Sequence, residues 1–338
     1  MRLNDNFKVF GVNAGLGVAL YPFKKHLIGA IETRKVFHTP GGEQWQVNFG
    51  GIPLYKDYVD IPANLDLVIS SPDCGSGSML RYSRAKQLGD HTFNQSLLEF
   101  LRAVTTSFPK FFLFENLAGL FKSFPESDFR TILKDYRLVM HNKSVSYFGN
   151  PQVTRKRLVI IGIRRDLPQK LTRYFKCPDY RDGIKTCGDL YGDLGDEDYS
   201  IGHIRENPKE VISIHAKRRM SFEEIAQEWQ TRLKGKKRWS SPGYTFSTAP
   251  GVYRNLNRDY PATARKANRQ FDESGLALTP RQLARIMGIP DKFHIYTDGD
   301  KHNYWINKGR NTVTKGMVFE VPVWVKRCLI KNKYLWQT

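Results

Sequence analysis

The sequence predicts an α/β domain, a mostly parallel sheet with helices on both faces, together with a smaller irregular domain. Three observations predict it. From Phe7 to Arg165, short β-branched or aromatic apolar runs alternate with helix-like stretches. From about Arg165 to about Asn268 the alternation fails, and Pro, Gly, Asp and basic clusters such as AKRRM and KGKKRW take over. From Thr279 it recovers. Alternation of this kind gives parallel strands, because the chain must cross back over the sheet through a helix, and ligands then sit at the carboxyl ends of the strands. The predicted boundaries are 1–165 for the sheet domain, 166–270 for the irregular domain and 271–338 for a segment returning to the first.

The elements follow in order. FKVFGV is the first strand, and it leads into Asn13-Ala14-Gly15-Leu16-Gly17, a glycine-bearing turn whose backbone amides can approach a ligand closely. HLIGAIE is the second strand, and it ends on Glu32, where a carboxylate can accept from ribose hydroxyls. Taken singly, both features read equally well as ordinary turns. LDLVISS opens into Ser71-Pro72-Asp73-Cys74-Gly75-Ser76-Gly77-Ser78, a thiol in a loop of small residues. A lone cysteine is usually structural, so it needs support. Asn94 to Ser107 is amphipathic, and FFLFEN then brings Glu115 and Asn116 to the same edge of the sheet. After the amphipathic stretch Ser127 to Tyr136 comes Pro151-Gln152-Val153-Thr154-Arg155-Lys156-Arg157, in which alternate arginines can face one side of an extended chain before the strand RLVIIGI. Thr279-Pro280-Arg281-Gln282 has the form of a helix start, with Thr as cap, Pro in the first turn and Gln at the third position. A last helical run is predicted from Val313 to Ile330.

Composition narrows the partners. Lys and Arg total 53 against 33 Asp and Glu, a net charge of +20, and such an excess draws polyanions through counterion release from phosphates. The four cysteines, Cys74, Cys177, Cys187 and Cys328, contain no CxxC pair, so neither a disulfide framework nor a metal site is expected. No stretch approaches the roughly 20 apolar residues of a membrane span, and Met1 to Lys8 lacks the apolar core of a signal peptide, which points to the cytosol.

In this order, the motifs resemble those of the DNA cytosine-5 methyltransferases, from about Phe7 to Arg165 and again from about Trp239 to Ile330. The resemblance implies a Rossmann-like fold that binds S-adenosylmethionine and releases S-adenosylhomocysteine. Asn13, Ala14, Gly15, Leu16 and Gly17 match the family's FxGxG turn, Glu32 its ribose-binding acid, and WQVNFGGIPLYKD the approach to its adenine-contacting Asp, either Asp57 or Asp60. Pro72, Cys74 and Ser78 fall in the PCQxxS region, Glu115-Asn116-Leu117 on ENV, and Gln152, Arg155 and Arg157 on QxRxR. LTPRQLARIMGIPDKF and GRNTVTKGM are similar to the two late motifs, the second placing Asn311 and Val313 at the cofactor pocket. The family chemistry implies that Cys74 attacks C6 of a flipped-out cytosine, Glu115 binds N3 and the exocyclic amine, Arg157 binds O2 and Arg155 fixes the loop. Phosphate contacts are the natural use of Lys217, Arg218, Arg219, Lys236, Lys237 and Arg238, in a segment that would also read the target sequence in double-stranded DNA.

The match also departs from the family. Asn13 stands where a Phe usually stacks on adenine, Asp73 and Gly75 flank the thiol in place of Pro and Gln, and one extra residue separates Gln152 from its arginines. Gln282 and Ile289 replace a common Glu and Phe. A carboxylate beside a thiol disfavours the thiolate. Three rivals follow: a transfer-RNA cytosine-5 methyltransferase, a DNA-binding member of the fold without catalysis, and an S-adenosylmethionine-dependent small-molecule enzyme, which fits the sheet but leaves the +20 charge unexplained. The long basic segment between the matched regions favours duplex DNA as substrate. A monomer in a bacterial cell or phage-infected host, working beside a cognate restriction enzyme or other DNA-modification enzyme, completes the expectation.

Overall fold

The computed structural model describes residues 2–34, 39–72, 92–152, 155–181, 185, 187–194, 254–255, 270–271, 279–295, 313–314 and 316–333. The chain divides into two units, one made of residues 1–148, 156–180 and 316–338, the other of 149–155 and 181–315.

The first unit is built on a seven-stranded sheet. Its strands are β1 (Val9–Val12), β2 (Leu27–Ile31), β3 (Leu54–Tyr55), β4 (Leu67–Ser70), β5 (Phe111–Asn116), β6 (Tyr136–Ser144) and β7 (Lys156–Arg164), in the spatial order β3-β2-β1-β4-β5-β7-β6. The four pairings from β3 to β5 are parallel, whereas β7 runs antiparallel to both β5 and β6. Each strand foreseen from the apolar runs is present. The runs are near-continuous because both faces are covered: every residue of β1, β4 and β5 is buried.

One face packs on α2 (Thr92–Ser107) and α4 (Glu126–Ile132), which follow α1 (Thr39–Phe49) and accompany the short α3 (Leu120–Ser123) in the chain. Phe100 lies at its centre, with ring centroids 4.7 Å from Phe114 and 5.4 Å from Phe112. The opposite face is covered from the C-terminal stretch, where Trp324 packs edge-on against Phe148 and Phe175. The helix carrying Trp324 spans Glu320–Lys331 rather than starting at Val313. Gly316 sits at φ +89°, a left-handed conformation that breaks a helix, and with the later start Pro322 falls in the first turn, where its missing N–H removes no bond.

β6 and β7 form a long antiparallel pair whose register sets Gly162 opposite Leu138 on one side and opposite Phe112 of β5 on the other. A Cβ at Gly162 would lie well inside contact distance of the Phe112 ring, which is fully buried. Gly162→Ala is therefore expected to overpack the core and lower stability by about 1–3 kcal/mol, read as a drop in the denaturant midpoint. An unchanged midpoint would contradict the close approach.

In the second unit, α6 (Pro280–Ile286) opens with the capping box anticipated from its sequence: Gln282 N donates to Thr279 Oγ1 at 3.1 Å and Thr279 N donates to Gln282 Oε1 at 2.8 Å, with α5 (Cys187–Tyr191) preceding it in the chain. Arg281 is buried and donates to the carbonyls of Pro290 and Phe293, and burial pulls its guanidinium down to about 10. A two-residue parallel pair, β8 (Arg254–Asn255) with β9 (Gln270–Phe271), belongs to the same unit.

Candidate active site

Strand order reverses beside β1: the chain proceeds outward from it through β2 to β3 and, on the other side, through β4 to β5. Such a switch point leaves a crevice at the carboxyl ends of the strands, where neighbouring connections diverge. Register then fixes what meets there. Val12 pairs with Ile31 and with Ser70, and Ser70 with Phe114, so the next residues, Asn13, Glu32, Ser71 and Glu115, lie at one level, the first three just beyond their strands and Glu115 still paired with Val159 of β7.

The turn after β1 is held by backbone bonds from Ala14 N to Ile31 O and from Gly17 N to Ala14 O. Asn13, Gly15 and Gly17 all have positive φ, at 53°, 59° and 82°. At Gly17 a Cβ would also strike Phe49 at 2.5 Å, so the turn lies tight against α1. Leu16 is buried, and Ala14 partly so. Glu32 is wholly buried: Oε2 accepts from Gly15 N, and its carboxylate also takes the backbone N–H, Nε and Nη2 of Arg34. Arg34 Nη2 additionally donates to Asn13 O at 3.0 Å. Asp57 and Asp60 are both exposed, and Asp60 lies 4.0 Å from Arg102.

At the ends of β4, β5 and β7 a second cluster forms. Glu115 is 3% exposed; its Oε2 accepts from Ser71 Oγ at 2.8 Å, and its Oε1 is 2.8 Å from Arg157 Nε. Asn116 Nδ2 donates to Pro72 O at 3.3 Å, and its Oδ1 accepts from Leu117 N, which ties the chain leaving β4 to the end of β5 two residues before Cys74. Antiparallel pairing explains why Arg157 can meet Glu115: Asn116 pairs with Leu158, so Arg157 is the next residue beyond that pair. Gly316 approaches the same place, since a Cβ on it would lie 3.6 Å from Ser71 Oγ.

In the second unit, Gln152 is buried and its Nε2 donates to Asn150 Oδ1 and to Ile286 O. Arg155, also buried, donates through Nη2 to Thr314 O, and the neighbouring Val313 is buried. Cys74 and Ser78, with Asp73 and Gly75, lie outside the described residues, as do Asn311 and the basic residues Lys217, Arg218, Arg219, Lys236, Lys237 and Arg238. Three participants escaped the sequence reading: Ser71 as a donor to Glu115, Arg34 on Glu32, and Glu99 against Asn13. Ser71 stood in the loop that the thiol had marked; the other two had no local signal.

The geometry offers a buried carboxylate beside a glycine turn and a second carboxylate held by an arginine and by Ser71, which stands three residues before Cys74 in the sequence. The carboxylate at the end of β2, with the left-handed turn facing it, has the donor–acceptor character that an adenosyl group's ribose diol requires, provided Arg34 yields acceptor sites on Glu32. Among the described residues no helix is long and apolar enough to cross a membrane. Residues 32–306 match the model of the C-5 cytosine-specific DNA methylases. The chain is 25% identical to the Type II methyltransferase M.NgoPII of Neisseria gonorrhoeae over 80% of its own length and 79% of that protein's. To the Type II methyltransferase M1.ScrFI of Lactococcus lactis subsp. cremoris it is 26% identical, over 87% and 72%. Among solved structures, the Entamoeba histolytica methyltransferase EhMeth shares the fold at a TM-score of 0.63 and 13% identity, covering 97% of this chain and 99% of that one.

Proposed function

Because the chain belongs to the C-5 cytosine-specific DNA methylase family and is a DNA cytosine-5 methyltransferase, we propose that Cys74, Glu115 and Arg157 carry its chemistry, with Arg155 securing the adjoining segment. The observation that supports this most is the Ser71–Glu115–Arg157 cluster at the ends of β4, β5 and β7, whose Ser71 stands three residues before Cys74 in the sequence.

C5 of cytosine is a weak nucleophile until the C5–C6 double bond is broken. The Cys74 thiolate adds to C6, and the electron pair displaced toward C5 makes that carbon nucleophilic. Glu115 accepts from the exocyclic amine and from N3–H once N3 has taken a proton from water, which it gives back when the ring is restored, while Arg157 donates to O2; both stabilise the charge that addition places on the ring. Once C5 carries its new methyl group, loss of the C5 proton to a base and departure of the Cys74 sulfur restore the aromatic ring. When bound, S-adenosylmethionine supplies that methyl group from its sulfonium and leaves as S-adenosylhomocysteine. Asn13 to Gly17 and Glu32 would hold its adenosyl end, with Asp57 or Asp60, Pro72, Asn311 and Val313 as further walls.

C6 is stacked within a duplex, so the base must be flipped out to reach Cys74. Ser78 and Asn116 are assigned to the substrate side. Residues 166–270 are assigned to target recognition, with Lys217, Arg218, Arg219, Lys236, Lys237 and Arg238 on phosphates, and the excess charge of +20 supports that use. Action as a monomer, in the cytoplasm of a bacterial cell or infected host and beside a cognate restriction enzyme or other DNA-modification enzyme, belongs to the same proposal.

The test is methyl transfer from labelled S-adenosylmethionine to duplex DNA, single-stranded DNA and total tRNA. Label on duplex DNA, recovered as 5-methylcytosine, is expected. Label on tRNA alone would overturn the substrate assignment, and DNA binding without label on any substrate would overturn the catalytic one.

A further inference from the structure

Beneath the glycine turn lies a buried polar network that the mechanism does not use. Glu99, on the buried face of α2, is 4% exposed. Its Oε2 accepts from Asn13 Nδ2 at 2.9 Å, its Oε1 from Gln95 Nε2 at 3.3 Å, and both oxygens lie 3.1 Å from Thr33 Oγ1. Ser70 Oγ in turn donates to Asn13 Oδ1 at 3.1 Å. Asn13, Thr33 and Ser70 each adjoin the proposed cofactor site: Asn13 begins the turn, Thr33 follows Glu32, and Ser70 ends β4.

Two features are unfavourable unless they do something. A carboxylate buried in an apolar core loses its hydration, and an apolar side chain of similar size would fill the same space without that loss. Asn13 holds a left-handed backbone at φ 53°, which an L-residue adopts with some strain even when it is asparagine. The first feature maintains the second: with both ends of its amide taken, Asn13 cannot rotate, so the amides of the following turn keep their direction.

We infer that Glu99 is a positioning residue for the cofactor, acting through Asn13 and Thr33 to fix the turn at 13–17 and the Glu32 carboxylate in a shape that receives the adenosyl group. The inference rests on the cofactor reading given above. Glu99 takes no part in the bond-making steps.

The experiment uses the full chain and S-adenosylhomocysteine as probe, with affinity measured by titration calorimetry and melting temperature measured without ligand. Glu99→Gln turns an amide N–H toward Asn13 or loses one acceptor; Asn13→Asp sets two carboxylates against each other. In the double variant, the new carboxylate at position 13 accepts from the new amide at position 99, so donor and acceptor are exchanged and the bond re-forms. Each single change is expected to weaken binding about tenfold, and the double variant to return within about threefold of wild type. In turnover, Glu99→Gln should raise the KM for the methyl donor more than it lowers kcat, a split that general loss of folded protein does not produce. If the wild-type chain binds the probe but the single variants bind it equally well, or the double variant shows the summed loss, the inference is overturned while the cofactor reading stands. If wild type fails to bind, the cofactor reading falls and takes the inference with it. Should Asn13→Asp not fold, Glu99→Gln decides alone through its affinity and its KM-against-kcat split.

Discussion

Replacement of Cys74 by alanine should abolish methyl transfer to DNA, by a factor on the order of 10⁴ or more, while leaving DNA binding and cofactor binding in place. The size of the effect follows from the chemistry: without a nucleophile at C6 the ring never acquires electron density at C5, and nothing else in the proposed cluster can supply it. The matching positive result is a covalent complex. A duplex carrying 5-fluorocytosine at the target has no C5 proton to lose after methylation, so elimination stalls and the wild-type chain should stay attached to the oligonucleotide through denaturing electrophoresis. Cys74→Ala should show no such band. A shifted band that persists in the alanine variant would mean that another nucleophile is at work and that Cys74 is a structural thiol. Asp73 directly precedes Cys74 in the sequence, and a carboxylate beside a thiol disfavours the thiolate. Asp73→Asn is accordingly expected to move the rising, acid-side limb of the kcat/KM profile toward lower pH, since less base is then needed to form the thiolate.

Much of this architecture was legible because burial on both faces of a parallel sheet leaves an unmistakable trace. LDLVISS and FFLFEN are apolar at nearly every position, and both became strands with every residue buried. β6 left no such trace. Its nine residues, YRLVMHNKS, are mostly half-buried because it forms the edge of the sheet, so polar residues interrupt the run. The antiparallel course of β7 against β5 was equally hidden, since the sequence of a strand records how deeply it is buried and carries little about its direction. That direction matters, for it is what lets Arg157, far along the chain, return to Glu115.

The site divides in the same way. Gly15, Gly17, Glu32 and Glu115 could be picked out because each ends or follows a strand, and the order of motifs gave them meaning together. Glu99 could not. In sequence it is one acid on an amphipathic helix, where an exposed position is the ordinary expectation. Only the packing of α2 against the sheet turns it inward onto Asn13. Arg34 is comparable: an arginine two residues beyond an acid is unremarkable until the backbone folds its guanidinium back on Glu32. Residues proposed for chemistry are visible through their neighbours in sequence, whereas residues proposed to hold them in place become visible only through neighbours in space.

Glu115 and Arg157 provide the second large expected effect, and its pattern tests their pairing as well as their chemistry. Glu115→Gln keeps the shape and the bond from Ser71 but removes the charge that answers a protonated N3, so the methylation rate in a single turnover should fall about 10²- to 10³-fold. Arg157→Ala should fall as far, for two reasons. It removes the donor to O2, and it leaves a carboxylate that is only 3% exposed without the guanidinium 2.8 Å away. The second reason predicts a stability loss on top of the kinetic one, seen as a lower melting temperature in Arg157→Ala that Glu115→Gln does not share. It also predicts non-additivity. Combining the two substitutions removes the buried charge together with its partner, so the double variant should melt above Arg157→Ala alone. If Glu115→Gln methylates DNA at the wild-type rate, the carboxylate is not the group that answers charge on the ring. If the double variant instead shows the sum of the two stability losses, the residues act independently and the ion pair contributes nothing to holding the site.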